Sequence, residues 1–247
     1  MKNQKKKYAQ KFALEFAIFC IISALVSLVL IIPKLSFTLP MPSESVELPT
    51  TLTIILDAGH GGEDGGAQGN GLSEKNINLD ITLRLASLLQ EQGVNVVLTR
   101  DSDILLYDKD SNYNGKKKSQ DLQNRLKITN SYENPILVSI HMNYFAQTQY
   151  SGLQVWYSKN DSRSKILANQ IQSNVKSTLQ PNNNRVTKEA TSSIYLLHNA
   201  TCPAVLVECG FLSNPEEARA LSDEIYREKL ANVIFQSIMI YISQNNT

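Results

Sequence analysis

Residues 51–100 decide the fold: TLTIILDAGHGGEDGGAQGNGLSEKNINLDITLRLASLLQEQGVNVVLTR. The beginning is apolar and β-branched, as is typical of a buried strand. Residues 73–93 carry an apolar stripe at helical spacing, with Ser73 as a predicted N-cap and Gly93 as a predicted C-terminal stop. A second strand is predicted at 94–100. This order predicts two parallel strands joined by a crossover helix.

The same alternation continues towards the C-terminus. Strand-like segments are found at 135–141, 153–158 and 203–208, a short apolar segment at 193–197, and helix-like segments at 119–133, 162–179, 214–221 and 223–243. The pattern predicts a single α/β domain of three layers over 51–247, with a largely parallel sheet covered by helices on both faces. We interpret the lysine-rich insertion at 101–118 as a solvated loop, with a substrate-contacting edge as the alternative.

The N-terminus resembles a membrane-targeting segment. Residues 1–11 contain five lysines, and the 17 residues from 16 to 32 carry no charge. We expect a cytoplasmic basic segment at 1–11, a transmembrane anchor or uncleaved signal at 12–32, and a proline-rich linker at 33–50. A cleaved signal peptide is the competing interpretation, although no small-residue cleavage site ends the apolar run. Both interpretations predict an exported domain.

Ionisable residues follow three of the predicted strands. Asp57 and His60 come after the first strand, His141 ends the strand at 135–141, and Glu208 ends the strand at 203–208. The carboxyl ends of parallel strands share one edge of the sheet, which is where ligands bind in such folds. We therefore expect these side chains to meet, although a single histidine at a strand end is more often structural.

Two histidines and one carboxylate form a known catalytic zinc site, with the fourth position left for water or substrate. His60 and His141 supply the imidazoles, and the spacing leaves Glu63, Asp64 and Glu74 as candidates for the acidic ligand. Glu208 then serves as the proton acceptor. Asp57, near His60, could also ligate the metal, but a carboxylate beside a metal-binding histidine often orients that histidine instead.

Other chemistries fit the sequence poorly. The net charge of +1 argues against nucleic acid as a partner. Neither a phosphate-binding G-x-x-x-x-G-K-[ST] motif nor a G-x-S-x-G motif is present. Cys202 and Cys209 lie at the two ends of a predicted strand, too far apart for a disulfide. Cys209 is one residue from Glu208 and should face away from it, which argues against a thiol nucleophile.

Residues 52–243 resemble the zinc-dependent N-acetylmuramoyl-L-alanine amidases of bacterial cell walls. The motifs that carry the resemblance are LDAGHGGEDGG, SEKNINLDIT, VVLTRDSD, NRLKITN, VSIHMN and VLVECGFLSNPEEARAL. The resemblance implies a mixed sheet of about six strands, zinc ligation by His60, Glu74 and His141, and Glu208 as the catalytic carboxylate. It also implies hydrolysis of the amide bond between the lactyl group of N-acetylmuramic acid and L-alanine.

The chain is most similar to the germination-specific subgroup of spore formers. That similarity implies muramic-lactam formation in spore cortex, a membrane-anchored extracytoplasmic location such as the forespore intermembrane space, a cooperating deacetylase and an activating partner protein. Asn143, two residues after His141, is a candidate substrate contact. Arg125 is a second candidate, although an ion pair within the fold is the favoured interpretation of this residue.

Two other functions remain open at this stage. The spacing His60-x-x-Glu63 matches a ligand pair of zinc carboxypeptidases, which would make Glu63 the metal ligand instead of Glu74. A non-catalytic wall-binding scaffold that kept the fold is the second alternative, and the intact pairs of histidines and glutamates argue against it.

Overall fold

The computed structural model describes residues 52–107 and 116–245. The described strands are β1 (Thr53–Ala58), β2 (Gln68–Gly69), β3 (Leu72–Ser73), β4 (Asn95–Leu98), β5 (Pro135–Asn143), β6 (Gln154–Tyr157), β7 (Lys188–Glu189) and β8 (Ala204–Phe211). The described helices are α1 (Glu74–Glu91), α2 (Lys117–Asn130), α3 (Arg163–Thr178), α4 (Tyr195–Asn199), α5 (Pro215–Ser222) and α6 (Glu224–Asn245).

Six strands form one mixed sheet in the order β4-β1-β5-β8-β6-β7. The pairs β1–β4, β1–β5, β5–β8 and β6–β7 are parallel, and β6 runs antiparallel to β8. The carboxyl ends of β1, β5 and β8 therefore lie together at one edge, with β5 in the middle. The predicted three-layer α/β domain with a mixed, mostly parallel sheet is confirmed.

Alternate residues of the central strands enter two separate cores. On one face, Ile54 and Leu56 of β1 pack with side chains of α1, α3 and α6, while on the other face Ile55 packs near α4. Every residue of β1 is buried. Because both faces are covered, the strand needs apolar residues throughout, which explains its uninterrupted TIIL sequence.

Most predicted elements lie within a few residues of their predicted bounds, and one expectation, the side-chain cap at Ser73, is wrong. Residues 195–199 form the short helix α4, whose Leu196 and Leu197 enter the second core. Ser73 occupies the N-cap position of α1, but its hydroxyl makes no capping bond and donates instead to the carbonyl oxygen of Gly65 at 3.1 Å. Loop carbonyls accept the first amides of the helix, so no side-chain cap is needed: Glu74 N bonds to Ala67 O and Lys75 N to Gly65 O.

Several predictions concern residues outside the described part. The basic segment, the transmembrane segment and the linker at 1–50 are among them, as is the middle of the insertion at 101–118. Within residues 52–107 and 116–245, no helix is long and apolar enough to cross a membrane. Cys202 and Cys209 are both buried and form no disulfide, as predicted.

Candidate metal centre

Three residues from distant parts of the sequence meet at the carboxyl edge of the sheet. His60 follows β1 in the glycine-rich loop, Glu74 is the first residue of α1, and His141 lies near the end of β5. Their potential ligand atoms all lie within 4.8 Å of one another, and no other such group occurs in the described ranges. His60 has a φ of 62°, in the left-handed region that few residues other than glycine adopt, although histidine adopts it more readily than most. The loop thus holds this residue in a specialised conformation.

Glu74 connects the other two side chains. Its Oε1 lies 3.2 Å from His60 Nε2 and 2.9 Å from His141 Nδ1. The same oxygen accepts the backbone N–H of Met142 at 3.0 Å, while Oε2 accepts that of Ala67 at 2.7 Å. The carboxylate is therefore held by groups on both sides, and its position is fixed before any ligand binds.

The electrostatics of Glu74 favour its charged form. Burial opposes ionisation, yet hydrogen bonds from His141 and His60 outweigh it and hold the pKa of Glu74 far below its usual range. A buried carboxylate between two imidazole nitrogens fits the oxygen and nitrogen donors that zinc prefers. His60, Glu74 and His141 therefore match a three-residue zinc site that leaves a coordination position for water or substrate.

Glu208 lies beside this group on the neighbouring strand. It is the direct register partner of His141 in the parallel pairing of β5 with β8. Its Oε2 is buried and has no hydrogen-bond partner among the described residues. Burial raises the pKa of Glu208 to about 7, even though His141 nearby lowers it. An unsatisfied carboxylate with such a pKa can both accept and return a proton near neutral pH.

Asp64, and not Asp57, orients the first histidine. Asp64 Oδ2 accepts a hydrogen bond from Nδ1 of His60 at 2.9 Å, which directs Nε2 of the same ring towards Glu74. Asp57, the residue expected to orient a ligand histidine, has a fully buried carboxylate that bonds to Thr99, Ser139 and Arg125. Carboxylates that bond to ligand imidazoles in this way fix the tautomer and the ring orientation.

Arg125 holds the backbone of the glycine loop. It is 1% exposed, and its Nη1 donates to Asp57 Oδ1 at 2.7 Å and to the carbonyl of Ala58 at 2.8 Å. Its Nη2 donates to the carbonyl of His60 at 2.8 Å. Burial opposes ionisation of Asp57, but Arg125 holds the pKa of that carboxyl at about 2. The favoured ion pair within the fold is therefore present, and the guanidinium is occupied by it.

Glu63 points away from the three clustered side chains. Its side chain is 55% exposed, and Oε1 lies 2.9 Å from Lys117 Nζ and accepts a hydrogen bond from the Tyr107 hydroxyl. Hydrogen bonds from Lys117 and Tyr107 lower the pKa of Glu63. Lys118 similarly pairs with Asp64 at 3.1 Å. These contacts give the end of the insertion a structural role and leave Glu63 outside the candidate centre.

Two glycines allow the backbone to approach the clustered side chains closely. A Cβ added to Gly59 would overlap the imidazole of His141, and one added to Gly66 would lie 2.6 Å from Glu74 Oε2. Gly66 also has a φ of +66°, which glycine adopts without strain. The glycines of this loop are therefore required by contact with the site as well as by the tight turn.

Substitution Gly59→Ala should displace His141 and weaken zinc binding by about 10- to 100-fold, the range seen when the groups that support a metal ligand are lost. Gly65→Ala is the matched control in the same loop, because Gly65 has no positive φ and a Cβ there first meets the flexible end of the Gln68 side chain. Competition with a chromophoric chelator measures both affinities. Equal zinc affinity for the two variants would contradict the steric argument.

The remaining candidates lie away from the three clustered side chains. Asn143 lines a neighbouring cavity with Phe211, because β8 places an extra residue between the register pairs His141–Glu208 and Asn143–Phe211. His198, the third histidine of the chain, is exposed on α4. Burial raises the pKa of Cys209 well above its usual range, in agreement with the argument against a thiol nucleophile.

Arg100 is a structural residue of the site that the sequence analysis did not identify. It is 2% exposed and donates to the carbonyls of Ala58 at 2.8 Å, Gly59 at 3.0 Å and Lys75 at 2.8 Å. It thus joins the loop to the start of α1. Arg100 follows an apolar strand in the sequence, and this same position identified His141 and Glu208, so the pattern could have indicated Arg100 as well.

The family model described as N-acetylmuramoyl-L-alanine amidase matches residues 54–239. The germination-specific N-acetylmuramoyl-L-alanine amidase of Bacillus subtilis (strain 168) is 38% identical over 191 residues, covering 77% of this chain and 80% of that protein. The amidase LytC of the same organism is 32% identical over 191 residues, covering 76% of this chain and 35% of LytC.

Solved structures show the same fold. The CwlD amidase from Clostridioides difficile, in complex with the GerS lipoprotein, superposes with a TM-score of 0.74 at 44% identity, covering 78% of this chain and 99% of that chain. The amidase AmiC2 of Nostoc punctiforme has a TM-score of 0.67 at 30% identity, covering 77% of this chain and 97% of that chain. The matched region includes His60, Glu74, His141 and Glu208.

Proposed function

Since this chain belongs to the N-acetylmuramoyl-L-alanine amidase family, we propose that it is a zinc-dependent hydrolase of peptidoglycan. The bond cleaved is the amide between the lactyl group of N-acetylmuramic acid and the L-alanine of the stem peptide. The observation that carries the proposal is the convergence of His60, Glu74 and His141 beside the unpartnered carboxylate of Glu208.

Each side chain has a separate task in this reaction. His60, Glu74 and His141 would hold the zinc ion, which when bound polarises a carbonyl and makes nearby water more acidic. Glu208 accepts a proton from the water that attacks the lactyl carbonyl carbon. As the carbon–nitrogen bond breaks, Glu208 gives that proton to the departing amine of L-alanine, and the lactyl group is left as a carboxylate. Asp64 keeps His60 oriented throughout.

Digestion of purified peptidoglycan tests this function. With zinc, wild-type protein should release stem peptides with a free L-alanine amino terminus, identified by mass spectrometry, and dialysis against a chelator should abolish release. Loss of single C-terminal amino acids from the stem would instead indicate the carboxypeptidase-like alternative. Binding to peptidoglycan without any cleavage, with zinc present, would favour the scaffold alternative.

We further propose that the enzyme acts in spore cortex, anchored by residues 12–32 with its catalytic domain outside the cytoplasm. Its similarity to a germination-specific amidase supports this role. The complex of the C. difficile amidase with a lipoprotein supports a partner protein for this chain as well. Deletion of this chain from a spore former that makes it should remove muramic lactam from the cortex. A deletion strain with normal lactam content would contradict the proposed role.

A further inference from the structure

A second cavity of about 540 Å³ lies beside the candidate metal centre. Its lining contains the cations Arg185 and Lys188 and no carboxylate. Its other residues are aromatic, amide or apolar, namely Asn143, Phe145, Tyr150, Gln154, Trp156, Asn184, Val186 and Phe211. The carboxylates of Glu208 and Glu217 lie outside the lining but near enough to interact with Arg185. Because the lining itself carries two cations and no carboxylate, the cavity favours an anionic ligand.

Glu208 lies between this cavity and a smaller one that is lined by His60 and His141. It lines a cavity of about 240 Å³ together with His60 and His141. Gln154, its direct partner in the antiparallel pairing of β6 with β8, lines the 540 Å³ cavity. Directly paired residues on one face of a sheet are close neighbours, with Cβ atoms about 5 Å apart. A substrate whose reacting bond lies at Glu208 can therefore extend from one cavity into the other.

Arg185 has no carboxylate within ion-pair distance among the described residues, and, unlike the buried Arg100, it does not use its donors on backbone carbonyls. Its Nη2 donates to Gln154 Oε1 at 2.6 Å, and its guanidinium carbon lies 4.8 Å from the centroid of the Phe211 ring. Nε is buried and has no acceptor among the described residues. Arg125, by contrast, bonds to two carboxylates. Arg185 thus retains donors for a ligand.

We propose that Arg185 is a specificity residue that binds a free carboxylate of the stem peptide, on the leaving-amine side of the cleaved bond. This inference rests on the proposed function. The residue after L-alanine in a stem peptide is a D-glutamate, whose α-carboxyl group is either free or amidated. Arginine binds carboxylates through two parallel N–H donors, and an uncharged amide cannot replace the carboxylate in that arrangement.

Binding of two synthetic stem tripeptides that begin with L-alanine tests the inference. They differ only at the second residue, which is D-glutamate or D-isoglutamine. Trp156 is the one tryptophan of the chain and lines this cavity, so its fluorescence reports binding there. Zinc-loaded wild-type protein should bind the free-carboxylate peptide about 10- to 100-fold more tightly, the usual effect of one charge-assisted hydrogen-bonded contact. In Arg185→Gln, the ratio of the affinities for the free-carboxylate and the amidated peptide should fall to about one. Arg185→Lys should keep part of the preference, because it retains the charge without the paired donors.

Arg219→Gln makes the same chemical change at an exposed position of α5 and should leave the ratio unchanged. Equal affinity of wild type for both peptides, or a preference that survives Arg185→Gln, overturns the inference. Cleavage of the corresponding N-acetylmuramoyl peptides separates the two proposals. If wild type cleaves neither substrate but binds the free carboxylate through Arg185, the proposed function fails and the inference stands. If it cleaves both equally with or without Arg185, the inference fails and the proposed function stands.

Discussion

Glu208→Gln is expected to lower the turnover number on peptidoglycan by about 10²- to 10⁴-fold, the contribution of a well-placed general acid–base. The substitution keeps the shape of the side chain but removes its ability to accept the proton of the attacking water. Zinc content should stay the same, since Glu208 is outside the three-residue ligand group. Released stem peptides, quantified by mass spectrometry over a time course, measure turnover, and metal analysis measures zinc.

Glu216→Gln is the matched control for this experiment. Glu216 is an exposed glutamate on α5, so its substitution should leave both turnover and zinc content unchanged. Folding is compared by thermal unfolding, and Glu208→Gln should be at least as stable as wild type because it removes a buried, unsatisfied carboxylate. A Glu208→Gln protein that turns over substrate at the wild-type rate would show that another group moves the proton.

The sequence predicted the sheet well because burial on both faces leaves a strong local pattern. β1, β5 and β8 contain the apolar runs IIL, ILV and AVLV, and the ionisable residue that follows in each strand indicated the functional edge. The direction of β6 and the extra residue in β8 depend on pairing between distant segments. No local signal encodes such pairing, so the expectation of a mixed sheet did not identify β6 as its antiparallel strand, and the separate cavity lined by Asn143 was not predicted.

The interior of the glycine loop was only partly predictable. Asn70 and Gly71, with φ values of 51° and 80°, form the turn of the small β2–β3 hairpin. An Asn-Gly pair is a strong local hairpin signal, so this feature could have been found. That Asp64, and not Asp57, is the partner of His60 could not have been predicted, because both carboxylates are close to His60 in sequence. In the fold, Asp57 bonds to the buried Arg125, and His60, at a positive φ, bonds to Asp64.

Glu74→Ala is expected to lower zinc affinity by more than 100-fold, whereas Glu63→Ala should leave it unchanged. Loss of a group that merely supports a ligand costs about 10- to 100-fold, and removal of the ligand itself should cost more. Glu74 is 3% exposed and lies between the two imidazoles, while Glu63 forms a surface ion pair with Lys117. Chelator competition and metal analysis after dialysis measure the difference.

A graded series makes this prediction specific. The zinc affinity of Asp64→Asn should lie between those of Glu74→Ala and Glu63→Ala. This substitution weakens the orientation of His60 but leaves the three ligand residues intact. Glu74→Gln controls for the cavity that alanine leaves, since its amide fills the same space as a neutral and weaker ligand. Zinc loss in Glu63→Ala with zinc retained in Glu74→Ala would reverse the assignment and support the carboxypeptidase-like alternative. Equal loss in both would mean that the loop, held by Arg100 and Arg125, acts as one unit in forming the site.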